Sequence, residues 1–296
     1  MNKLIVPPIK IQGIKTKLVP FIKSLISLRE DDVWIEPFMG SGVVGFNINQ
    51  RRAIFADINP HIINFYNQIK SKEITSSIVK QFLYEEGKIL AVKDIEHYYF
   101  IRDRFNKYHD PLDFLFLNRS CFNGMIRFNK SLSFNVPYGH KPNRFSKAYI
   151  TKIVNQVANI EKMLSINDWY FICQPFEKTI AMANRRSFIY CDPPYIGRHV
   201  DYYDSWSEKD EATLCASLLS SKVNFMLSTW DHNQYRRNNY IDSIWYFCNK
   251  FTQEHFYHLG AQERNRHSIT EALLLNYNAQ MKRCLSEPLK EQMSLF

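Results

Sequence analysis

The stretch that most constrains the fold runs from Val33 to Asp57. It reads strand, glycine-rich turn, helix, strand, acid. Val33-Trp34-Ile35-Glu36 is a short run of strand formers, Pro37-Phe38-Met39-Gly40-Ser41-Gly42 breaks it, and Val43-Val44 opens a helix. A second strand covers residues 52–56 and ends at Asp57. Two strands joined through a helix make a βαβ unit, so the segment predicts an α/β fold built on a doubly wound, Rossmann-like sheet. The glycines let a ligand approach the backbone closely, and the helix N–H groups meet its polar end. An acid closing the second strand can accept both ribose hydroxyls of a nucleoside cofactor. This spacing suits nicotinamide dinucleotides and S-adenosylmethionine alike. The glycines do not follow G-x-G-x-x-G, which counts against a dinucleotide.

A later strand carries the chemistry. Phe188-Ile189-Tyr190-Cys191 is apolar and ends abruptly in Asp192-Pro193-Pro194-Tyr195. Each proline locks φ and lacks an N–H, so the chain leaves the sheet stiff and extended. The exit holds the Asp192 carboxylate and the Pro193 carbonyl together as acceptors, with the Tyr195 ring beside them. Two acceptors and a flat ring suit the exocyclic amine of a planar base, once that base has swung out of a duplex.

The rest of the chain supports a nucleic-acid partner. Its formal net charge is +9, which favours an anionic ligand. The six scattered cysteines include no C-x-x-C pair, which fits reduced thiols in the cytoplasm and neither a disulfide framework nor a zinc site. No apolar run reaches the length of a membrane span, and no histidine spacing suggests a metal. Lys10, Lys15 and Lys17 surround Gly13 just before a helix expected over 16–28, where lysines and free N–H groups favour carboxylates or phosphates.

Residues 60–117 read as mainly helical, and then the texture changes. Asn118-Arg119-Ser120-Cys121-Phe122-Asn123-Gly124-Met125-Ile126-Arg127 leads through a turn near 129–133 to Phe134-Asn135-Val136-Pro137. A β-hairpin or looped ribbon is expected near 118–139. Its Arg, Asn, Lys and aromatic residues are types that read base edges, contact phosphates and wedge between base pairs. Further strands are expected over 169–174, 224–228 and 271–276. Pro175-Phe176-Glu177 is placed to cover an adenine ring, and residues 198–206 suit a lid.

Together these pieces resemble the Dam-type (α-class) DNA adenine-N6 methyltransferases. The order matches across nearly the whole chain: the lysine-glycine segment, Glu36-Pro37-Phe38-Met39-Gly40-Ser41-Gly42, Asp57, the recognition insert, and Asp192-Pro193-Pro194-Tyr195. Residues 7–20 and 228–240 are most similar to modification methyltransferases of the EcoRV type. The family's Trp-Ala-Gly-Gly-Lys is here Ile11-Gln12-Gly13-Ile14-Lys15, without the aromatic and one glycine. The resemblance implies S-adenosylmethionine as methyl donor, with S-adenosylhomocysteine as product, held by Ile11, Lys15, Glu36, Phe38, Gly40, Gly42, Asp57, Phe176 and Asp192. It implies a flipping pocket of Asp192, Pro193, Pro194 and Tyr195. DNA contacts would come from Lys10, Lys15, Phe122, Asn123, Met125, Arg127 and Pro137. It implies a catalytic domain of residues 1–70 and 169–278, a recognition insert at 71–168 and a flexible tail from 279, in a cytoplasmic, nucleoid-associated enzyme of bacterial or phage origin.

The expected reaction is methyl transfer to the N6 of adenine in double-stranded DNA, at a GATC- or GATATC-like site, without a metal. Two alternatives stand beside it: an RNA adenine-N6 methyltransferase, and a DNA-binding module without activity. A single compact ribbon suits a duplex major groove better than single-stranded bases. The final residues, Gln292-Met293-Ser294-Leu295-Phe296, resemble the Gln-Leu-Ser-Leu-Phe-type peptide that docks onto the bacterial sliding clamp.

Overall fold

The computed structural model describes residues 4–196, 206–256 and 268–279. The expected lid, apart from Trp206, and the clamp-like tail lie outside them. The chain enters through an extended N-terminal segment and a short helix α1 (Val19–Leu25). Then come β1 (Val33–Glu36), α2 (Val43–Ile48), β2 (Arg52–Asp57) and α3 (Pro60–Lys70). Four helices follow: α4 (Ser76–Lys93), α5 (Ile95–Tyr108), α6 (Pro111–Ser120) and α7 (Lys147–Ile166). The sheet resumes with β3 (Asp168–Cys173), α8 (Phe176–Ile180), β4 (Ser187–Cys191), α9 (Glu208–Ser221) and β5 (Asn224–His232). The short α10 (Tyr240–Ser243), β6 (Asn249–Phe256) and β7 (Ser268–Leu275) complete it.

Local signals explain most helix starts. Asn59 accepts from the N–H groups of His61 and Ile62 ahead of Pro60, and Asp110 caps α6 in the same way ahead of Pro111. Ser207 and Asp210 cap α9 reciprocally. The helix expected over 16–28 shrinks to α1, because Pro20 fixes where it can begin.

The seven strands lie in the order β3-β2-β1-β4-β5-β7-β6. The first five are parallel, and β7 inserts antiparallel between β5 and β6. Strand β6 was not legible from the sequence. Among the described residues it pairs with β7 alone, and an edge strand open to solvent needs no apolar run.

Side chains alternate across this sheet, and each face buries its own core. Trp34, Phe55, Trp169, Tyr190, Met226 and Leu273 belong to one core; Ile35, Ile189, Cys191, Phe225, Leu227 and Leu274 belong to the other. On the first face Trp34 stacks between Phe188 and Tyr190, with centroids 5.6 and 5.7 Å away. The same period carries Glu36, Asp192, Ser228, Trp230 and Glu271 onto that face.

The ribbon near 118–139 is looped and not a regular hairpin. Residues 118–120 end α6, a 3-10 turn spans Phe122–Gly124, and the two legs meet through isolated antiparallel bridges at Cys121–Tyr138 and Phe128–Phe134. Side chains replace the missing ladder. Asn129 Oδ1 accepts from the N–H groups of Ser131 and Ser133 at 2.9 and 3.0 Å, and Arg127 Nε donates to Asn135 Oδ1 at 2.8 Å.

Candidate active site

Strand order reverses between β1 and β4, since the chain winds outward from β1 through β2 to β3 and from β4 through β5 the other way. Ligands of such sheets bind beyond the carboxyl ends of the strands at this point. Here those ends carry Glu36-Pro37-Phe38 and Asp192-Pro193-Pro194. A charged cleft lined by Glu30, Asp31, Arg51, Arg52, Asp168 and Arg186 sits at the amino ends instead, away from both motifs.

Asp192 stands one residue past β4, its side chain 24% exposed. Lys15, only 4% exposed, brings Nζ to 3.1 Å from Asp192 Oδ1. The same ammonium donates to the Tyr195 hydroxyl at 2.8 Å and the Gly13 carbonyl at 3.3 Å, and lies 4.9 Å from the centre of the Tyr195 ring. Burial pushes the Asp192 carboxyl up to about 6; Lys15 opposes the rise and the Glu271 charge adds to it. Asp192 is therefore a carboxylate at neutral pH, with one oxygen already bonded.

Two findings add to the sequence expectation. The Lys15 ammonium, expected at both the cofactor and the DNA, is buried inside the Asp192-Tyr195 motif. Glu271, which no motif marked, accepts from the Tyr195 hydroxyl at 2.8 Å. Only the pairing of β7 with β5, which sets Glu271 opposite Trp230, could have singled it out.

The β1–α2 turn forms the second half of the site. Gly40 and Gly42 have φ of +49° and +76°, the left-handed region that favours glycine. A Cβ on Gly42 would fall 2.5 Å from the Phe46 ring, so that glycine serves packing within the protein. A Cβ on Gly40 would meet only the Ile11 side chain, at 3.2 Å, so Gly40 and Ile11 form a shallow cradle. Asp57 accepts from the Gly40 N–H through Oδ2 and the Asn59 N–H through Oδ1, both at 2.9 Å. Burial raises its carboxyl, and these N–H groups, with that of Ile58, oppose the rise. Phe38 stacks on Phe176 at 5.3 Å, and Trp206 packs 5.6 Å from both rings. Acid, cradle and aromatic wall fit a nucleoside. Trp206 joins that wall, although the sequence marks only the loop that carries it.

Glu36 sits behind the turn. Its Oε2 accepts from Trp34 Nε1 at 2.9 Å and the Gly45 N–H at 3.0 Å, tying β1 to α2. Burial pushes its carboxyl up to about 8, so at neutral pH it keeps its proton.

The ribbon lies beside the N-terminal segment. The Lys10 backbone exchanges two hydrogen bonds with the Asn118 side chain, at 2.8 and 2.9 Å, and its side chain covers Gly124. Phe122 is half exposed, Asn123 and Pro137 are exposed, and the Phe122 N–H donates to the Pro137 carbonyl at 2.9 Å. Met125 and Arg127 are half-buried. Several base-reading types of this stretch face inward instead. Asn118 and Arg119 are buried, and Arg119 Nε donates to the Pro8 carbonyl at 2.7 Å. Phe128 and Phe134 belong to the core. Among the described residues no group of three His, Cys, Asp or Glu could hold a metal ion, and no helix is long and apolar enough to cross a membrane.

Known proteins share this chain's pattern. It is 34% identical over 197 residues to a DNA adenine methylase of Haemophilus influenzae, covering 64% of this chain and 63% of that protein, just under two thirds of its length. It is 29% identical over 220 residues to one from Salmonella typhi, covering 69% and 74%. With one from Escherichia coli strain K12 it shares 34% identity over 173 residues, covering 57% and 58%. Residues 12–264, which include both strand-end motifs and the ribbon between them, match a single family. The chain belongs to the D12 class of N6 adenine-specific DNA methyltransferases.

Proposed function

We propose that the chain transfers a methyl group from S-adenosylmethionine to the N6 of an adenine flipped out of double-stranded DNA. The observation that carries this reading is the Asp192 carboxylate at the sheet's switch point, one oxygen on Lys15 and the Tyr195 ring beside it. Bound S-adenosylmethionine supplies an electrophilic methyl group on a sulfonium and leaves as S-adenosylhomocysteine. Asp57 takes its ribose hydroxyls, Phe38 and Phe176 cover its adenine, and Gly40 and Ile11 admit its chain, with Gly42 packing the turn on Phe46 and Glu36 bracing it.

An exocyclic amine conjugated to its ring is a poor nucleophile. Asp192 and the Pro193 carbonyl accept its two N–H bonds and draw the nitrogen toward tetrahedral geometry, while Pro194 keeps the exit rigid. Correct placement then does most of the remaining work. As positive charge grows on the nitrogen, the adjacent carboxylate stabilises it, and the methylated, ammonium-like nitrogen then releases one proton to solvent to give neutral N6-methyladenine. Tyr195 stacks on the flipped base and Phe122 fills the gap it leaves. Lys10, Asn123, Met125, Arg127 and Pro137 read the flanking bases, and the whole insert of residues 71–168 serves recognition.

The deciding experiment incubates the purified chain with S-adenosylmethionine and either a duplex DNA library or RNA, then maps N6-methyladenine. Methylation at one duplex motif, lost in Asp192→Ala, is expected; a GATC- or GATATC-like motif would match the family resemblance. Methylation of RNA alone overturns the reading, as does inactivity on every substrate. The five-residue likeness at 292–296 supports docking on a sliding clamp through Gln292, Leu295 and Phe296. Equal clamp binding by the full chain and by one ending at Glu291 removes that reading.

A further inference from the structure

Glu271 is 1% exposed and sits on β7, opposite Trp230 on one side and Gln253 on the other. A carboxylate buried in the middle of a sheet is costly unless hydrogen-bonded. It accepts from the Tyr195 hydroxyl, 76 residues away in sequence, and so joins the antiparallel end of the sheet to the chain exit at Asp192.

We propose that Glu271 is a positioning residue for methyl transfer: it orients the Tyr195 hydroxyl and, through Tyr195 and Lys15, sets which oxygen of Asp192 meets the target amine. The proposal rests on the methyl-transfer reading above. An ionised carboxylate only accepts hydrogen bonds, whereas a tyrosine hydroxyl carries one proton. With that proton committed to Glu271 at 2.8 Å, the hydroxyl oxygen turns its lone pairs to the Lys15 ammonium, also at 2.8 Å. The ammonium, held further by the Gly13 carbonyl, directs another proton to Asp192 Oδ1 at 3.1 Å. Asp192 Oδ2 then faces the amine. The chain of contacts also fixes the far end of the Tyr195 ring, and with it the plane against which a base would stack.

The discriminating variant is Glu271→Gln, which keeps size and hydrogen-bonding capacity but is no longer acceptor-only. A Gln amide can donate to the hydroxyl oxygen, reverse its proton and compete with Lys15. In the full chain, with S-adenosylmethionine and a duplex carrying the mapped site, Glu271→Gln lowers kcat about tenfold while KM for DNA and the Kd for the donor stay within about twofold. Tyr195→Phe also lowers kcat, and adding Glu271→Gln to it causes no further loss, because the link is already cut. A second variant, Glu271→Asp, keeps the charge, shortens the reach by one methylene and lowers kcat as well. Thermal melts confirm that each variant is folded. Wild-type kcat in both single variants at position 271, or losses that add in the double variant, overturns the proposal while leaving the methyl-transfer reading intact. A wild-type chain that methylates no adenine overturns that reading, and this proposal with it.

Discussion

Replacing Asp192 with Asn should stabilise the protein while nearly abolishing its activity. The rise of the carboxyl from its ordinary 3.8 to about 6 corresponds to about 3 kcal/mol against the ionised form in the folded state. That figure is an upper limit, because the side chain keeps 24% of its exposure. The unfolded chain ionises Asp192 near 3.8 and the folded chain near 6, so between these values the native state binds more protons. Wild-type stability contributed by this group therefore falls as pH rises through that window. The amide of Asp192→Asn mimics the protonated acid and escapes the loss. Urea denaturation should show Asp192→Asn more stable than wild type by about 1–3 kcal/mol at pH 7.5, with the gap narrowing toward pH 4.5. Turnover moves the other way, since an amide cannot stabilise charge on the nitrogen as a carboxylate does; a kcat loss of about 10²–10³ is expected. The wild-type rate should fall as pH drops through about 6, where Asp192 takes up a proton. Equal stability of the two proteins at pH 7.5, or wild-type turnover by Asp192→Asn, would refute this account of a carboxylate held ionised for chemistry.

Other perturbations test the surrounding parts. Asp57→Ala should weaken donor binding by about 1.5–3 kcal/mol through lost charge-assisted bonds; unchanged affinity by calorimetry would place the ribose elsewhere. Gly42→Ala forces a Cβ within 2.5 Å of the Phe46 ring at a φ of +76°, so a loss of about 1–3 kcal/mol is expected in urea melts. Asn135 holds the Arg127 guanidinium in place; if Arg127 reads a base as proposed, Arg127→Ala should relax preference at one G·C position by about 1–3 kcal/mol, whereas an even loss over all sequences would make Arg127 a phosphate contact. Glu36→Gln copies the protonated acid, so it should remove a decline in wild-type stability between about pH 4.5 and 8, which denaturation at pH 5 and 8.5 would reveal.

The sequence alone determined the parts whose cause is local. Apolar runs, breakers and caps placed β1, β2 and β4, and the glycine turn and the terminal acids followed from backbone geometry within a few residues. Asp57 and Asp192 were legible because a carboxylate at a strand end is a local pattern. Three things depended on tertiary pairing. Strand β6 lacks an apolar signature and, among the described residues, pairs on one edge alone, so only its ladder to β7 defines it. The ribbon's composition did not say which side chains point outward. Asn118 and Arg119 turned in because α6 packs against residues 8–10, while Phe122 and Asn123 stayed out. Finally, Lys15 lies 180 residues from Tyr195, and Glu271 a further 76 beyond it. No periodicity links positions so distant. An antiparallel strand shifted by one residue would have turned Glu271 to the opposite face, and only the assembled sheet, with its register, brings these charges together.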